Sequence, residues 1–237
     1  MDLLLDDERL GVRVGATTAA DGDVHPTRVD AEILARRQVG LAGARWAMAE
    51  HVHGTEIWSV DSVRSSVTLV PADIVVLERA RSRSGSPSPS AVAVWAADCA
   101  TVFFVTGNSL VGVHAGWRGL AAGVIQRAAA IAVGAGPIES VVVGPLIGPC
   151  CYEFSDCDVA AVAAGVGAAT AAIQGVTGAG ALALDTGAAV CSALAEVGIT
   201  PDAAAQGCTG CTDDGRRWFS HRARVDVRRQ ALVGWFV

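Results

Sequence analysis

The sequence contains no lysine: all 18 of its basic residues are arginine. That excludes a Schiff-base lysine and the lysine of a standard phosphate-binding loop. Recognition of phosphate or carboxylate must then rest on guanidinium forks or backbone amides. A strongly basic balance is missing too, with a formal net charge of -6 and a pI near 5.3, which argues against a general nucleic-acid binder. No apolar run has membrane-spanning length. The most membrane-like stretch, Val159 to Ile173, is short and mainly Ala and Gly, and so reads as a packed helix. The acidic start, Met1 to Glu8, has no secretory leader pattern. Seven cysteines, an odd count in a chain too long to need disulfide staples, read as reduced thiols in a cytoplasmic setting. Neither an internal repeat nor a convincing linker divides the 237 residues.

What is present is an alternation of short apolar runs with glycine-rich turns. Strands are expected at Leu10 to Val14, Glu56 to Val60, Val67 to Val70, Ile74 to Leu77, Ala91 to Ala96, Thr101 to Val105, Leu110 to Val113, Ser140 to Val143 and Ala231 to Val237. Helices are expected at Ala31 to Val39, Gly119 to Val133, Val159 to Ile173 and, capped by Asp185, Thr186 to Val197. Gly107-Asn108 reads as a hairpin turn. The Arg-, Ser- and Pro-rich stretch 79–90 has almost no apolar side chain to bury and reads as a mobile surface loop. Strands running consecutively before the first clear helix in the middle of the chain point to an α+β fold.

Chemistry concentrates where strands end. Cys99 follows the strand at 91–96, His114 ends the strand at 110–113, and His53 precedes the strand at 56–60. Two imidazoles and a thiol can form a three-ligand zinc site with an open fourth position. Such an ion is a Lewis acid that lowers the pKa of bound water. Asp98 is either a partner that orients a ligating histidine or a turn former. Arg118, beside His114 at the start of a helix, suits an anion. Six arginines fall between Arg216 and Arg229; among them Arg222 and Arg229 are candidates to reach phosphate. Cys208-Thr209-Gly210-Cys211 is a lone C-x-x-C without a second such pair, and Cys150 and Cys151 are adjacent. Their bland reading, unrelated thiols near a loop, is favoured.

Several motifs then occur in order: His51-Val52-His53-Gly54, Ala72-Asp73-Ile74, Ala97-Asp98-Cys99, His114-Ala115-Gly116-Trp117-Arg118-Gly119, Gly144 to Glu153 (GPLIGPCCYE), Leu184-Asp185, Cys208-Thr209 and Phe219 to Arg222. Together they resemble the laccase-domain family of bacterial proteins, also called multicopper polyphenol oxidase, peptidoglycan editing factor and purine nucleoside phosphorylase. The resemblance runs from about residue 29 to the C-terminus. It implies a single four-layer α/β/β/α domain, here residues 1–237, with zinc on His53, Cys99 and His114; a monomer or homodimer is expected. The implied reaction is phosphorolysis of adenosine, inosine, guanosine or methylthioadenosine to free base and ribose 1-phosphate, with adenosine deamination at the same site. In that reading Cys99, His114, Asp98 and Arg118 are catalytic, and Arg36, His51, Arg222 and Arg229 bind substrate.

Copper is also associated with the family, but five histidines are few for a multicopper oxidase, and zinc suits group transfer better. The chain departs from the family pattern at His51 (in place of glutamine), Ala35 (asparagine), Ala223 (arginine) and Arg228 (glycine). Two alternatives follow: a Cys99–His114 hydrolase acting on cell-wall precursors, or a diverged, non-enzymatic partner protein.

Overall fold

A computed structural model describes residues 1–60, 69–79, 91–211 and 216–237. In chain order the elements are β1 (Asp2–Asp7), β2 (Val12–Ala16), α1 (Ala31–Ala42), β3 (Trp46–Ala47), β4 (Ile57–Val60), β5 (Ile74–Glu78), β6 (Ala91–Ala96), β7 (Ala100–Thr106), β8 (Ser109–Ala115), α2 (Trp117–Ala121), α3 (Val124–Ala135), β9 (Ile138–Val143), α4 (Asp156–Gly165), α5 (Thr170–Ile173), β10 (Gln174–Val176), β11 (Leu182–Leu184), α6 (Thr186–Glu196), β12 (Ala203–Ala204), α7 (His221–Arg224) and β13 (Gln230–Phe236). One sheet has the order β1-β2-β13-β6-β3, a second β12-β9-β7-β8-β5-β4, and β10 and β11 form a small hairpin. Both large sheets are mixed: β3–β6, β4–β5 and β9–β12 are parallel, the rest antiparallel.

The strand period of two divides the apolar residues among three interfaces. Val12, Val14, Val92, Val94 and Leu232 of the five-stranded sheet meet Val75, Leu77, Phe103, Val105 and Leu110 of the six-stranded one. The alternate residues Ile74, Val76, Val102, Phe104, Val111 and Val113 face the other way, against Leu120, Ile125, Ala128, Val159, Val162, Val190 and Leu194 of the helices. On the far side, Ala91, Ala93, Ala231, Val233 and Trp235 pack with Leu34 of α1. The layers are therefore α/β/β/α, within the expected mixed α+β class. Phe103 is wholly buried where the sheets meet. Its ring lies in the space left by Gly112, where an added Cβ would come within 2.9 Å of it. Truncating such a ring costs about 3–5 kcal/mol.

The structure alters several sequence-based expectations. The helix expected over 119–133 is two helices, α2 and α3, because Gly123 adopts φ +75° between them. The helix expected over 159–173 is α4 followed by the short α5, with Gly167 at φ +64° in the break. Asp185 caps α6 as expected, accepting from the Ala188 amide at 2.9 Å. Thr106 Oγ1 closes the Gly107-Asn108 turn by accepting from the Ser109 amide. Arg79, expected to open a mobile loop, is anchored. Its amide donates to the Asn108 carbonyl, its guanidinium reaches the Leu10 and Gly11 carbonyls, and it lies over the Phe236 ring. Residues 80–90, and residues 67 and 68 of the strand expected at Val67 to Val70, lie outside the described residues. Val70 itself is outside any strand, its carbonyl accepting from the Glu50 amide.

Candidate metal centre

Strand register gathers the centre at one end of the six-stranded sheet. Thr101 pairs with His114 and Ile74 with Val113, so Cys99, His114 and Asp73 come to the same end. The His114 amide also donates to the Asp73 carbonyl. The fourth segment is drawn in by a carboxylate: Asp73 Oδ1 and Oδ2 accept from the amides of His53 and Gly54 at 3.0 and 2.7 Å. This holds His53 in the left-handed region, φ +60°, a conformation disfavoured for a residue with a side chain. As a result, one donor atom each from His53, Cys99 and His114 lies within 4.8 Å of the other two.

Asp73 also fixes the histidine. Its Oδ1 lies 2.9 Å from His114 Nδ1, which leaves Nε2 as the available donor and sets the ring orientation, as carboxylates do for metal-bound histidines. Burial works against the Asp73 charge, but the His114 ring and the two amides outweigh it and hold the carboxyl below its ordinary range. Burial opposes the Cys99 thiolate as well. Contacts with His114 and then His53 overcome this and bring the thiol down to about 6. His114, against burial, is raised to about 9 by Asp73 and Cys99. Without a metal, each group thus favours the charged form of the other, the imidazole drawing the thiol down and the thiol drawing the imidazole up.

The donor set suits a divalent ion with a vacant coordination position. Gly116 supplies the room: a Cβ there would lie 2.9 Å from His53 Cδ2 and 3.4 Å from Cys99 Sγ. A His2Cys set can also hold copper when a distant methionine completes it. Met1 packs against Gly15 and the Met48 sulfur accepts from Gln38, and an oxygen donor can take that weak position instead.

Around the cluster the structure separates the expected residues. His51 stacks face to face on His114 at 4.2 Å and on Trp95 at 4.6 Å. Its Nε2 is buried without a partner among the described residues. Burial first, then the neighbouring imidazoles, hold it well below the usual histidine range. His25 lies tilted at 42° against the other partner of this row, Trp95, at 4.8 Å, a neighbour of the row that the sequence reading missed. Asp98 does not orient a histidine; that role falls to Asp73. With φ +110°, Asp98 instead accepts from Thr209 Oγ1 at 2.6 Å and the Arg222 amide at 2.7 Å. It ties the C-terminal segment to the turn that carries Cys99.

Arg222 lies over the Tyr152 ring, and Arg118 over that of Trp117. Tyr152, buried first by its surroundings and then next to the charge of Cys99, is raised to about 12. Arg229 is half-buried, and burial first, with the like charge of Arg28, lowers its guanidinium against the pull of Asp23, Asp98 and Cys99. Arg36 stands apart: it pairs with Glu32 in solvent on α1, and among the described residues no contact joins it to the centre. An open cleft of about 480 Å³ is lined by Trp117, Glu153, Phe154, Ser155, Asp158 and Arg222. It includes none of the three donor residues; Trp117, which opens α2 after His114, and Arg222, whose amide donates to Asp98, connect it to their segments.

These features define a mixed α/β scaffold carrying a His2Cys cluster between strand ends. A sequence profile of the family described as multi-copper polyphenol oxidoreductase laccase matches residues 18–236, and the chain belongs to that family. A purine nucleoside phosphorylase of Xylella fastidiosa is 32% identical over 187 residues, covering 78% of this chain and 69% of that protein. One of Streptomyces coelicolor is 34% identical over 207 residues, covering 85% and 79%. The hypothetical protein YfiH of Bacillus licheniformis shares the fold with a TM-score of 0.80 at 22% identity, covering 100% of this chain and 97% of that one. YlmD of Geobacillus stearothermophilus does so with a TM-score of 0.74 at 23% identity, covering 100% and 99%. No helix among the described residues is long and apolar enough to cross a membrane.

Proposed function

We propose that this chain is a zinc-dependent purine nucleoside phosphorylase. The observation that carries the reading is the convergence of His53, Cys99 and His114 within 4.8 Å, beside a cleft that offers aromatic faces and a guanidinium. Relatives named for this activity support it. Bound at the three donors, zinc would supply Lewis acidity beside an open coordination position. The chain's own residues do the rest. Asp73 keeps His114 aligned and His53 in place. Trp117 and Phe154, edge to face at 5.6 Å, offer a surface for a purine. Arg118 and Arg222 offer guanidinium groups to phosphate, and Arg229 adds positive charge. Phosphate oxygen then forms a bond to C1′ as the bond from C1′ to N9 breaks. The electron pair leaves with the base, which takes up a proton.

A second reading has an observation of its own. Asp73, His114 and Cys99 form a chain of carboxylate, imidazole and thiol, the arrangement of a nucleophilic hydrolase. One experiment separates the two. Wild type and Cys99→Ala are incubated with adenosine and inosine, with and without phosphate, and their metal content is measured. Phosphate-dependent ribose 1-phosphate from zinc-loaded wild type, lost in Cys99→Ala, supports phosphorolysis, and inosine formed from adenosine adds deamination. A metal-free protein that turns over neither nucleoside overturns the proposal and leaves the hydrolase or a partner role.

A further inference from the structure

We infer that the chain carries a second metal site, a structural zinc held by Cys150, Cys151, Cys208 and Cys211. The sequence favoured unrelated thiols because no second C-x-x-C exists and two of the cysteines are adjacent. The fold overrides that objection. Cys150 and Cys151 lie in the tight 3-10 turn Pro149–Cys151 after β9, and Cys208 and Cys211 in the loop after β12. The parallel pairing of β9 with β12 runs both segments out at the same end of the sheet. Leu146 and Cys208 then bridge. All four sulfur atoms lie within 4.8 Å of one another. Cys211 Sγ is 3.5 Å from that of Cys150 and 3.8 Å from that of Cys151. A zinc ion with four thiolates at about 2.3 Å sets a tetrahedral edge of about 3.8 Å. The four cysteines are unbridged.

The surroundings suit concentrated negative charge. Cys208 Sγ accepts from the amides of Gly148 and Gly210 at 3.1 and 3.3 Å. Arg224 holds the Thr209 and Gly210 carbonyls, placing a cation against the same loop. A Cβ on Gly210 would fall 2.6 Å from that of Cys151, so the close approach of the two segments depends on that glycine. Binding displaces four thiol protons and gives a complex of net charge -2, which these donors and the guanidinium offset. With four protein ligands the shell is closed, so the ion is structural. It staples the 208–211 loop, whose Thr209 bonds Asp98, to the turn that leads into Tyr152. It thereby braces the wall of the first centre.

The test is zinc stoichiometry by native mass spectrometry and elemental analysis, on protein made in zinc-supplemented medium and kept reduced. Wild type should hold two zinc ions per chain, Cys99→Ala one, Cys211→Ser one, and the double variant none. Cobalt-loaded Cys99→Ala should show thiolate-to-cobalt charge-transfer absorption that Cys211→Ser abolishes. If Cys211→Ser does not fold, the cobalt spectrum and stoichiometry of Cys99→Ala still decide. Folded Cys99→Ala without zinc, an intact mass lowered by two hydrogens through a disulfide among these cysteines, or iron in place of zinc would each overturn the inference.

Discussion

The two sulfur-containing clusters lie on either side of the Asp98–Thr209 bond and are built on opposite plans. The first takes two donors from beside strand ends and one, His53, from the loop before β4, orients one imidazole through a buried carboxylate, and has three protein donors. The second takes its donors from two turns, satisfies sulfur with backbone amides, and has four. Three donors leave room for a reactant, whereas four exclude one. The difference shows how one fold can assign one cluster to chemistry and the other to holding loops in register. It also locates the chain's sensitivity to substitution. At the first centre the supporting atoms are side chains, so a point change removes them; at the second they are largely main chain, with Arg224 the side chain that holds the loop.

The largest effect should come from Cys99→Ala, which removes one of the three donors. Turnover of inosine with phosphate should fall by about 10³-fold or more, the scale expected when a metal that stabilises transition-state charge is lost. The second cluster should keep its zinc. Asp73→Asn comes next. Losing the oriented carboxylate should weaken metal binding at the first centre about 10–100-fold, read by competition with a chelator. An unchanged affinity would mean that the amides, and not the carboxylate, set the site.

In the metal-free protein the clusters should also differ in reactivity. A thiol reacts as its thiolate, so alkylation of Cys99, brought down to about 6, should rise with pH through that value. Cys151, pushed up by burial and by its neighbouring thiol groups to about 11, should stay slow until far higher pH. Peptide mapping after a short pulse of iodoacetamide checks the order. A smaller effect is expected from His51→Gln, which removes the ring stacked on His114. Loss of an aromatic contact of this kind costs about 0.5–1.5 kcal/mol, seen as a lower Tm with zinc at the first centre retained. The smallest belongs to Arg36→Ala. An exposed i,i+4 pair contributes little, so kcat/KM should stay within about two-fold of wild type.

Much of the central sheet is legible in the sequence because its signals are local. Apolar runs at β6, β7 and β8, with a two-residue turn between the last two, place Cys99 and His114 at strand ends without any knowledge of the fold. His53 follows the same logic. Asp73 is visible in the sequence as part of the Ala72-Asp73-Ile74 motif but without a role, because its partners at 53, 54 and 114 meet it only in the fold. β1 escaped because Asp2 to Asp7 is acidic and borders the sheet, so no clean alternation marks it. The four-cysteine cluster is hidden for a related reason. Its halves are brought together by a two-residue parallel strand, β12, too short to leave a pattern. Arg36 and the expected helix at 119–133 fail the other way: a plausible local signal was overruled, by solvent on one side of α1 and by a left-handed glycine.

The placement of β13 carries a consequence for how the molecule is made. Residues 230–236 form the middle of the five-stranded sheet, between β2 and β6, and emerge from the ribosome after every strand they join. Until then β2 and β6 have no hydrogen-bonded neighbour between them, and the interface carrying Phe103 lacks Leu232 and the close approach of Gly234. Such long-range pairing is slow to form. A chain truncated before residue 230 should therefore expose the edges of β2 and β6 that β13 covers.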